Sequence, residues 1–270
     1  MYSIFKFSLK SLLKTLVRKS ISALCNLNND FAEILETDLK RIQGKGIGHS
    51  EDKSIEVNHA TNLLKKIGID EPIVWDVGAN QGLYTKAILQ KFPRAQVYAF
   101  EPSPFLLNNL SATFENDPRV TILPFALGRQ TSQQLLFSDK PGSGLASFTQ
   151  RRLDHFGISM KESQLVDVVA GDELISKFPP PDFIKIDVEG HEMDVLEGAI
   201  NIVAKTKVIA FEFGGTHIDT RTFFQDFFYF FTHKNFKIYR ISIRKLILIK
   251  KYSEEDEYFR PTNYICVRDN

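Results

Sequence analysis

Short apolar runs alternate with helically spaced segments through the central part of the chain. Ile73-Val-Trp-Asp-Val77, Gln96-Val-Tyr-Ala-Phe100, Arg119-Val-Thr-Ile-Leu123, Phe183-Ile-Lys-Ile-Asp187, Lys207-Val-Ile-Ala-Phe-Glu-Phe213 and Phe236-Lys-Ile-Tyr-Arg240 read as strands. Between them the spacing predicts helices over about 81–92, 104–115, 190–203 and 219–232. Continuous apolar strands separated by helices at this rhythm indicate βαβ units and a parallel sheet covered on both faces. The alternation pauses between 129 and 170, where Gln133–Ser138 and Gln164–Val169 look like two extra strands flanking a loop. The last segment, Asn263–Arg268, follows without an intervening helix, so it is expected antiparallel, through a hairpin with 236–249. The economical reading is a doubly wound α/β domain over 71–270, preceded by a helical extension over 1–70.

The beginning of the chain has its own pattern. Phe5, Leu9, Leu12, Leu13 and Leu16 share one helical face and Lys6, Lys10, Lys14 and Arg18 the other, and no acidic residue occurs in residues 1–24. Two uses suit this basic amphipathic helix: docking its leucine stripe on protein, which is the preferred one, or lying on an anionic membrane surface. Lys10 and Lys14 interrupt the apolar stretch that a secretory signal requires.

Composition adds mostly exclusions. With 43% hydrophobic and 25% charged residues, wholesale disorder is ruled out. A net charge of +1 gives no electrostatic argument for a nucleic-acid partner. Neither is there a catalytic tetrapeptide of the Asn-Pro-Pro-Tyr type. The two cysteines, Cys25 and Cys266, stand far apart and without ligand-like neighbours. That argues against a zinc knuckle or disulfide framework and fits a reducing, cytoplasmic setting. Gly44-Lys-Gly-Ile-Gly48 reads as a loop and not a phosphate loop, since no strand precedes it.

Candidate chemistry begins where the first strand ends. Asp76-Val-Gly-Ala-Asn-Gln-Gly82 has its glycines in GxxxG spacing, a departure from the GxGxxG of dinucleotide folds. Glycine there lets the backbone approach a ligand and take positive φ. Glu101 ends the second strand, about 20 residues on, where an acid can accept two ribose hydroxyls. A pyrophosphate wants the turn and helix N-terminus free of negative charge, and Asp76 would repel it. A ligand carrying an amine and a sulfonium suits the site better, which favours S-adenosylmethionine over NAD.

Val74–Tyr84, Phe100-Glu-Pro102 and Ile184-Lys-Ile-Asp-Val-Glu-Gly-His-Glu192 resemble, in that order, the FkbM-type methyltransferase family. The resemblance covers about 72–215. It implies a class I methyltransferase (Rossmann-like) fold with a mostly parallel seven-stranded sheet. It also implies S-adenosylmethionine as cofactor, and O-methylation of a sugar, glycolipid or polyketide-like acceptor. By that similarity Asp76, Gly78, Asn80, Gly82 and Glu101 bind the cofactor.

Transfer to a hydroxyl requires alignment, exclusion of water and removal of a proton. Asp187, at the end of the fourth strand, with Glu189 and His191 just after it, form the candidate catalytic group. A second use of the acids Asp187, Glu189 and Glu212 is an oxygen-rich cup for Mg²⁺. Against these stands the reading that Glu189 and Glu192 merely favour a helix N-terminus and that His191 is a surface residue. His217 is a further candidate; Asp219 or Thr216 is expected to cap the following helix. Phe223, Phe224, Phe227 and Phe228 on that helix are expected to pack the core. The Gly142–Ser147 loop is either a closure over the acceptor or an ordinary connection. The rival functions are an NAD-linked oxidoreductase, which the GxxxG spacing disfavours, and a fold that has lost its chemistry.

Overall fold

The structure is a computed structural model and describes residues 14–23, 29–48 and 54–269. It divides into two compact units, Met1–Gln43 and Gly44–Asn270. In the first, residues 14–23 are helical (α1) and α2 spans Asn29–Ile42. Most of the basic amphipathic pattern, at residues 1–13, lies outside the described residues.

The second unit begins with the loop at Gly44 and helix α3 (Ser54–Lys66). The compact unit thus starts ahead of residue 71, because α3 presents Val57, Ala60 and Leu64 to the core, all fully buried. The main sheet contains β1 (Ile73–Val77), β2 (Gln96–Phe100), β3 (Val120–Leu123), β7 (Phe183–Ile186), β8 (Val208–Phe213), β9 (Phe236–Ile241), β10 (Leu246–Ile249) and β11 (Thr262–Arg268), in the order β10-β9-β11-β8-β7-β1-β2-β3. From β3 to β8 all neighbours are parallel. Antiparallel β11 inserts between β8 and β9, pairing with both. The chain therefore returns from the hairpin β9–β10 to the inner edge of β9, and β10 supplies an eighth, outermost strand.

Strand alternation divides the core. Trp75 and Val77 of β1 face a layer with α6 (Glu192–Gly198) and α9 (Phe224–His233), whereas Val74 faces a layer with α3, α4 (Leu83–Lys91) and α5 (Pro104–Phe114). Helices on both faces are what continuous apolar strands demand. The expected helix over 190–203 breaks at Ala199 into α6 and α7 (Ile200–Val203), and the one over 219–232 into α8 (Thr216–Thr220) and α9. The second break sits at Arg221, whose φ of 59° is incompatible with a continuing helix.

The phenylalanines behave as expected of a core. Phe224, Phe227, Phe228 and Phe231 of α9 are buried, and Phe227 stacks on Phe211 at 4.6 Å and 12°. Such pairs add about 0.5–1.5 kcal/mol beyond area burial. Phe223, by contrast, stands outside the helix and is 48% exposed.

The pause in the alternation is a second sheet, in which β6 (Glu162–Ala170) lies between β4 (Ala126–Gly128) and β5 (Ser132–Ser138). The connection from β5 to β6 contains residues 139–161, and its first part reaches the ligand cleft.

Candidate active site

Strand order reverses at β1, which has β2 on one side and β7 on the other. Ligands in open parallel sheets bind beyond the carboxyl ends of the strands at such a point. A cleft of about 670 Å³ opens there, lined at one end by Asp76, Gly78, Asn80 and Glu101 and at the other by Lys185, Asp187, Glu189 and Glu212. That volume lies within the range of small-molecule sites.

The first end is built from backbone and carboxylates. Asp76 is buried and accepts a 2.6 Å hydrogen bond from the Thr85 hydroxyl, tying β1 to α4. Burial pushes its carboxyl up, although the Thr85 bond and the Lys185 charge pull the other way. Gly78 has φ +81°, and a Cβ there would lie 2.0 Å from the Asp187 carbonyl oxygen. Any side chain would force the two central strand ends apart. Gly82 is also left-handed, at φ +75°, but its missing Cβ makes room for Phe114 and Leu110 of α5. It does not line the cleft.

Glu101 Oε2 accepts the Asn80 N–H and Oε1 accepts the Ser103 N–H, each at 2.9 Å. Asn80 itself takes φ 51°, which turns its N–H toward Glu101. Burial raises the Glu101 carboxyl to about 6; the two amides offset part of the rise, and Asp76 adds to it. With one acceptor position on each oxygen used by an amide, lone pairs remain for a pair of vicinal hydroxyls.

The second end is built from charges. Lys185, in the middle of β7, is 2% exposed. Its ammonium lies 3.1 Å from Asp187 Oδ2, 3.9 Å from Glu56 Oε1 and 5.5 Å from the Tyr84 ring centroid. Burial opposes its charge, but Asp187, Glu56 and Glu212 overcome that and raise its pKa. Glu212, on β8, is pushed well above the ordinary carboxylate range by burial and then by Asp187 and Glu189, with Lys185 offsetting only part.

Glu189 has φ 53°, and its carboxylate meets Arg151 at 3.3 Å. Arg151 also reaches Asp219 at 3.2 Å. Asp219 therefore serves as an ion-pair partner rather than as the expected cap. For α9 the carboxylate of Asp226 accepts the Phe223 N–H at 2.8 Å. Thr216 likewise supplies no side-chain cap, since it is the first residue of α8 and its hydroxyl is 3.2 Å from His217 Nδ1.

Two histidines lie outside the cleft lining. His191 Nδ1 is 2.7 Å from Asp194 and Nε2 is 3.0 Å from the Thr149 hydroxyl, so both ring nitrogens are engaged. His217 is buried beside Glu192, with 2.9 Å between Nε2 and Oε2. Its Nδ1 accepts the Gly214 N–H, which leaves the proton on Nε2, toward the carboxylate. Glu192 in turn accepts the Val188 and Gly190 N–H groups. Burial disfavours its charge, but His217 and the amides prevail and hold its pKa low. Glu192 and His217 thus fix the loop that carries Asp187 and Glu189.

Of the eight residues assigned from the sequence to cofactor binding or to the catalytic group, the cleft gathers Asp76, Gly78, Asn80, Glu101, Asp187 and Glu189, and leaves out Gly82 and His191. Sequence reasoning missed Lys185, Glu56 and Arg151. Lys185 had a signal, since a lysine inside an apolar buried strand, two residues before Asp187, shares its face. Glu56 and Arg151 had none, because each comes from a distant segment.

The Mg²⁺ cup expected from Asp187, Glu189 and Glu212 does not form. Among the described residues no three His, Cys, Asp or Glu side chains converge to hold a metal ion. Asp187 and Glu189 face Lys185 and Arg151 instead.

Over 152 residues the chain is 30% identical to the hexuronic acid methyltransferase AglP of Haloferax volcanii, covering 56% of this chain and 59% of that protein. Over 170 residues it is 26% identical to the 2-O-methyltransferase NoeI of Sinorhizobium fredii, covering 56% of this chain and 66% of that protein. The chain thus spans roughly three fifths to two thirds of the length of these relatives. Among solved structures, methyltransferase FkbM from Methylobacillus flagellatus superposes with a TM-score of 0.46 at 18% identity, over 73% of this chain and 44% of that one. The family model described as "Methyltransferase FkbM domain" matches residues 76–238, a span that runs from Asp76 of β1 into β9, and the chain belongs to that family.

Proposed function

We propose that this chain transfers a methyl group from S-adenosylmethionine to a hydroxyl oxygen of a sugar, glycolipid or polyketide-like acceptor. The observation that carries the reading is one cleft holding both ends: Glu101 with its amide-bound carboxylate, and Asp187 beside buried Lys185. Membership of the family supports the cofactor, the name of AglP supports a sugar acid as acceptor, and that of NoeI supports transfer to oxygen.

The residues present suit the cofactor. Glu101 and the turn at Gly78–Asn80 would hold it, the carboxylate accepting the ribose hydroxyls. When bound, S-adenosylmethionine supplies an electrophilic methyl group. Asp187 receives the acceptor's proton, and Lys185 orients the carboxylate and stabilises its charge. Glu212, whose carboxyl is pushed up by burial and by the neighbouring Asp187 and Glu189, lines the same end and is placed to hydrogen-bond the acceptor oxygen. Leu106, Leu136 and Phe148 give the cleft apolar walls that exclude water.

Calorimetric titration with S-adenosylhomocysteine, with NAD⁺ as control, tests the reading. Micromolar binding of the thioether alone, weakened in Glu101→Ala, is expected; no binding to the wild type overturns it. Screening sugar, polyketide and phenol acceptors then tests the substrate class, and methylation of phenols alone refutes it.

We assign the basic segment over 1–24 a peripheral contact, with a partner or an anionic membrane. No described helix is long and apolar enough to cross a membrane. Co-sedimentation with anionic liposomes, with and without residues 1–24, separates the two; equal binding removes the membrane.

A further inference from the structure

Part of the acceptor wall belongs to neither strand nor helix. In the connection after β5, Ser143, Gly144, Ala146 and Phe148 line the cleft. This segment touches the cofactor end at its start, where a Cβ on Gly142 would lie 2.4 Å from the Phe105 ring and one on Gly144 would lie 3.5 Å from Asn80 Nδ2. It is anchored midway by paired backbone bonds between Phe137 and Ser147, at 2.9 and 3.0 Å. The Ser147 hydroxyl also donates to the Glu189 carbonyl at 2.8 Å.

Beyond Ser147 the wall is held by side chains. The Thr149 hydroxyl meets His191 Nε2 at 3.0 Å, and the Phe148 ring meets the imidazole edge-on at 5.6 Å. His191 is held in turn by Asp194, whose other bond is to Arg129 at 3.0 Å. The Asp194 carboxylate accepts from Nδ1–H, which leaves Nε2 to accept the Thr149 proton. The imidazole lines a neighbouring cleft of about 250 Å³, and Phe148 stands between the two clefts, lining both. A histidine so placed does not reach the reacting atoms. It does reach the residue next to Phe148.

We propose that His191 is a positioning residue: through Thr149 it fixes the Phe148 wall against which the acceptor is aligned. The proposal rests on the methyltransferase reading for the identity of the wall's occupant, while the Asp194–His191–Thr149 chain stands on its own geometry. The two ring nitrogens can be mimicked separately. His191→Asn keeps an amide near the Nδ1 position, toward Asp194, and His191→Gln keeps one near the Nε2 position, toward Thr149.

The test compares His191→Asn, His191→Gln and Thr149→Val by amide hydrogen exchange over residues 148–151, with and without S-adenosylhomocysteine. It then compares acceptor KM and kcat, using any acceptor found in the screen. Loss of one latching hydrogen bond should raise exchange and KM about fivefold in His191→Asn and Thr149→Val, with kcat within about twofold. His191→Gln should stay within about twofold of wild type. Wild-type exchange in His191→Asn, or equal impairment of both histidine variants, overturns the latch. A fall in kcat with unchanged KM in both would make His191 a proton carrier instead. If the thioether fails to bind the wild type, the methyltransferase reading falls, yet exchange in the ligand-free proteins still decides the latch.

Discussion

The Glu101 end of the cleft and the Asp187 end are assembled differently. Asp76, Gly78, Asn80 and Glu101 come from two neighbouring parallel strands and the turns that follow them, and Glu101 is held by backbone amides. Lys185, Glu56, Glu212 and Arg151 come from four separate segments and are held by charge, Lys185 among Asp187, Glu56 and Glu212, and Arg151 by Glu189 and Asp219. Backbone amides are present whatever the side chains, so the first end tolerates changes outside its motif. The second depends on a balance in which each member compensates another. Buried charges cost several kcal/mol apiece unless paired, so removing one partner leaves the rest exposed to that cost.

The largest effect should come from Asp187→Asn. Turnover should fall by about 10²–10⁴-fold, the usual contribution of a positioned base, with thioether affinity within a few-fold of wild type. A turnover assay paired with calorimetry checks it, and surviving activity would move the centre elsewhere.

Next is Lys185→Met, which leaves Asp187, Glu56 and Glu212 around an uncharged side chain. Removing one member of a buried ion pair costs about 3–5 kcal/mol, and denaturant unfolding should show a loss of that order. A variant as stable as wild type would mean that the acidic side chains are already neutral.

At the other end, Glu101→Gln should weaken thioether binding by about 10–100-fold while changing stability little. The sign of the pH effect follows from a carboxyl raised to about 6. A raised carboxyl contributes folding stability that is present below about 4.5 and is lost as pH rises through about 6. Ribose hydroxyls need the ionised form as acceptor. Affinity should therefore climb as pH rises toward and past about 6, whereas the Glu101→Gln variant should show a flat profile. A pH-dependent profile in the variant would assign the titration to another group.

The comparison also explains what could be read in advance. Every main-sheet strand from β1 to β9 followed from short apolar runs, and with them the place of Asp187 at the end of the fourth strand. The Asp187 N–H donates to the Val77 carbonyl at 3.0 Å, which places the two strand ends side by side. The helix over 219–232 was legible as core but not its break at Arg221, since positive φ in a non-glycine residue leaves no mark in periodicity. His191 was legible as a residue of the site's neighbourhood and not as to its direction; a one-residue difference in a turn decides which cleft a side chain faces.

Local order and local patterning thus determined the doubly wound sheet, the glycine turn and the acids Glu101 and Asp187 at their strand ends, because each depends on residues adjacent in the chain. The tertiary structure alone decided that Glu56 of α3 and Glu212 of β8 share a buried lysine, that Arg151 ties Glu189 to Asp219, and that no metal cup forms. Ionic contacts between distant segments have no period and no fixed spacing. They exist only once the sheet has brought those segments together and burial has made each unpaired charge costly.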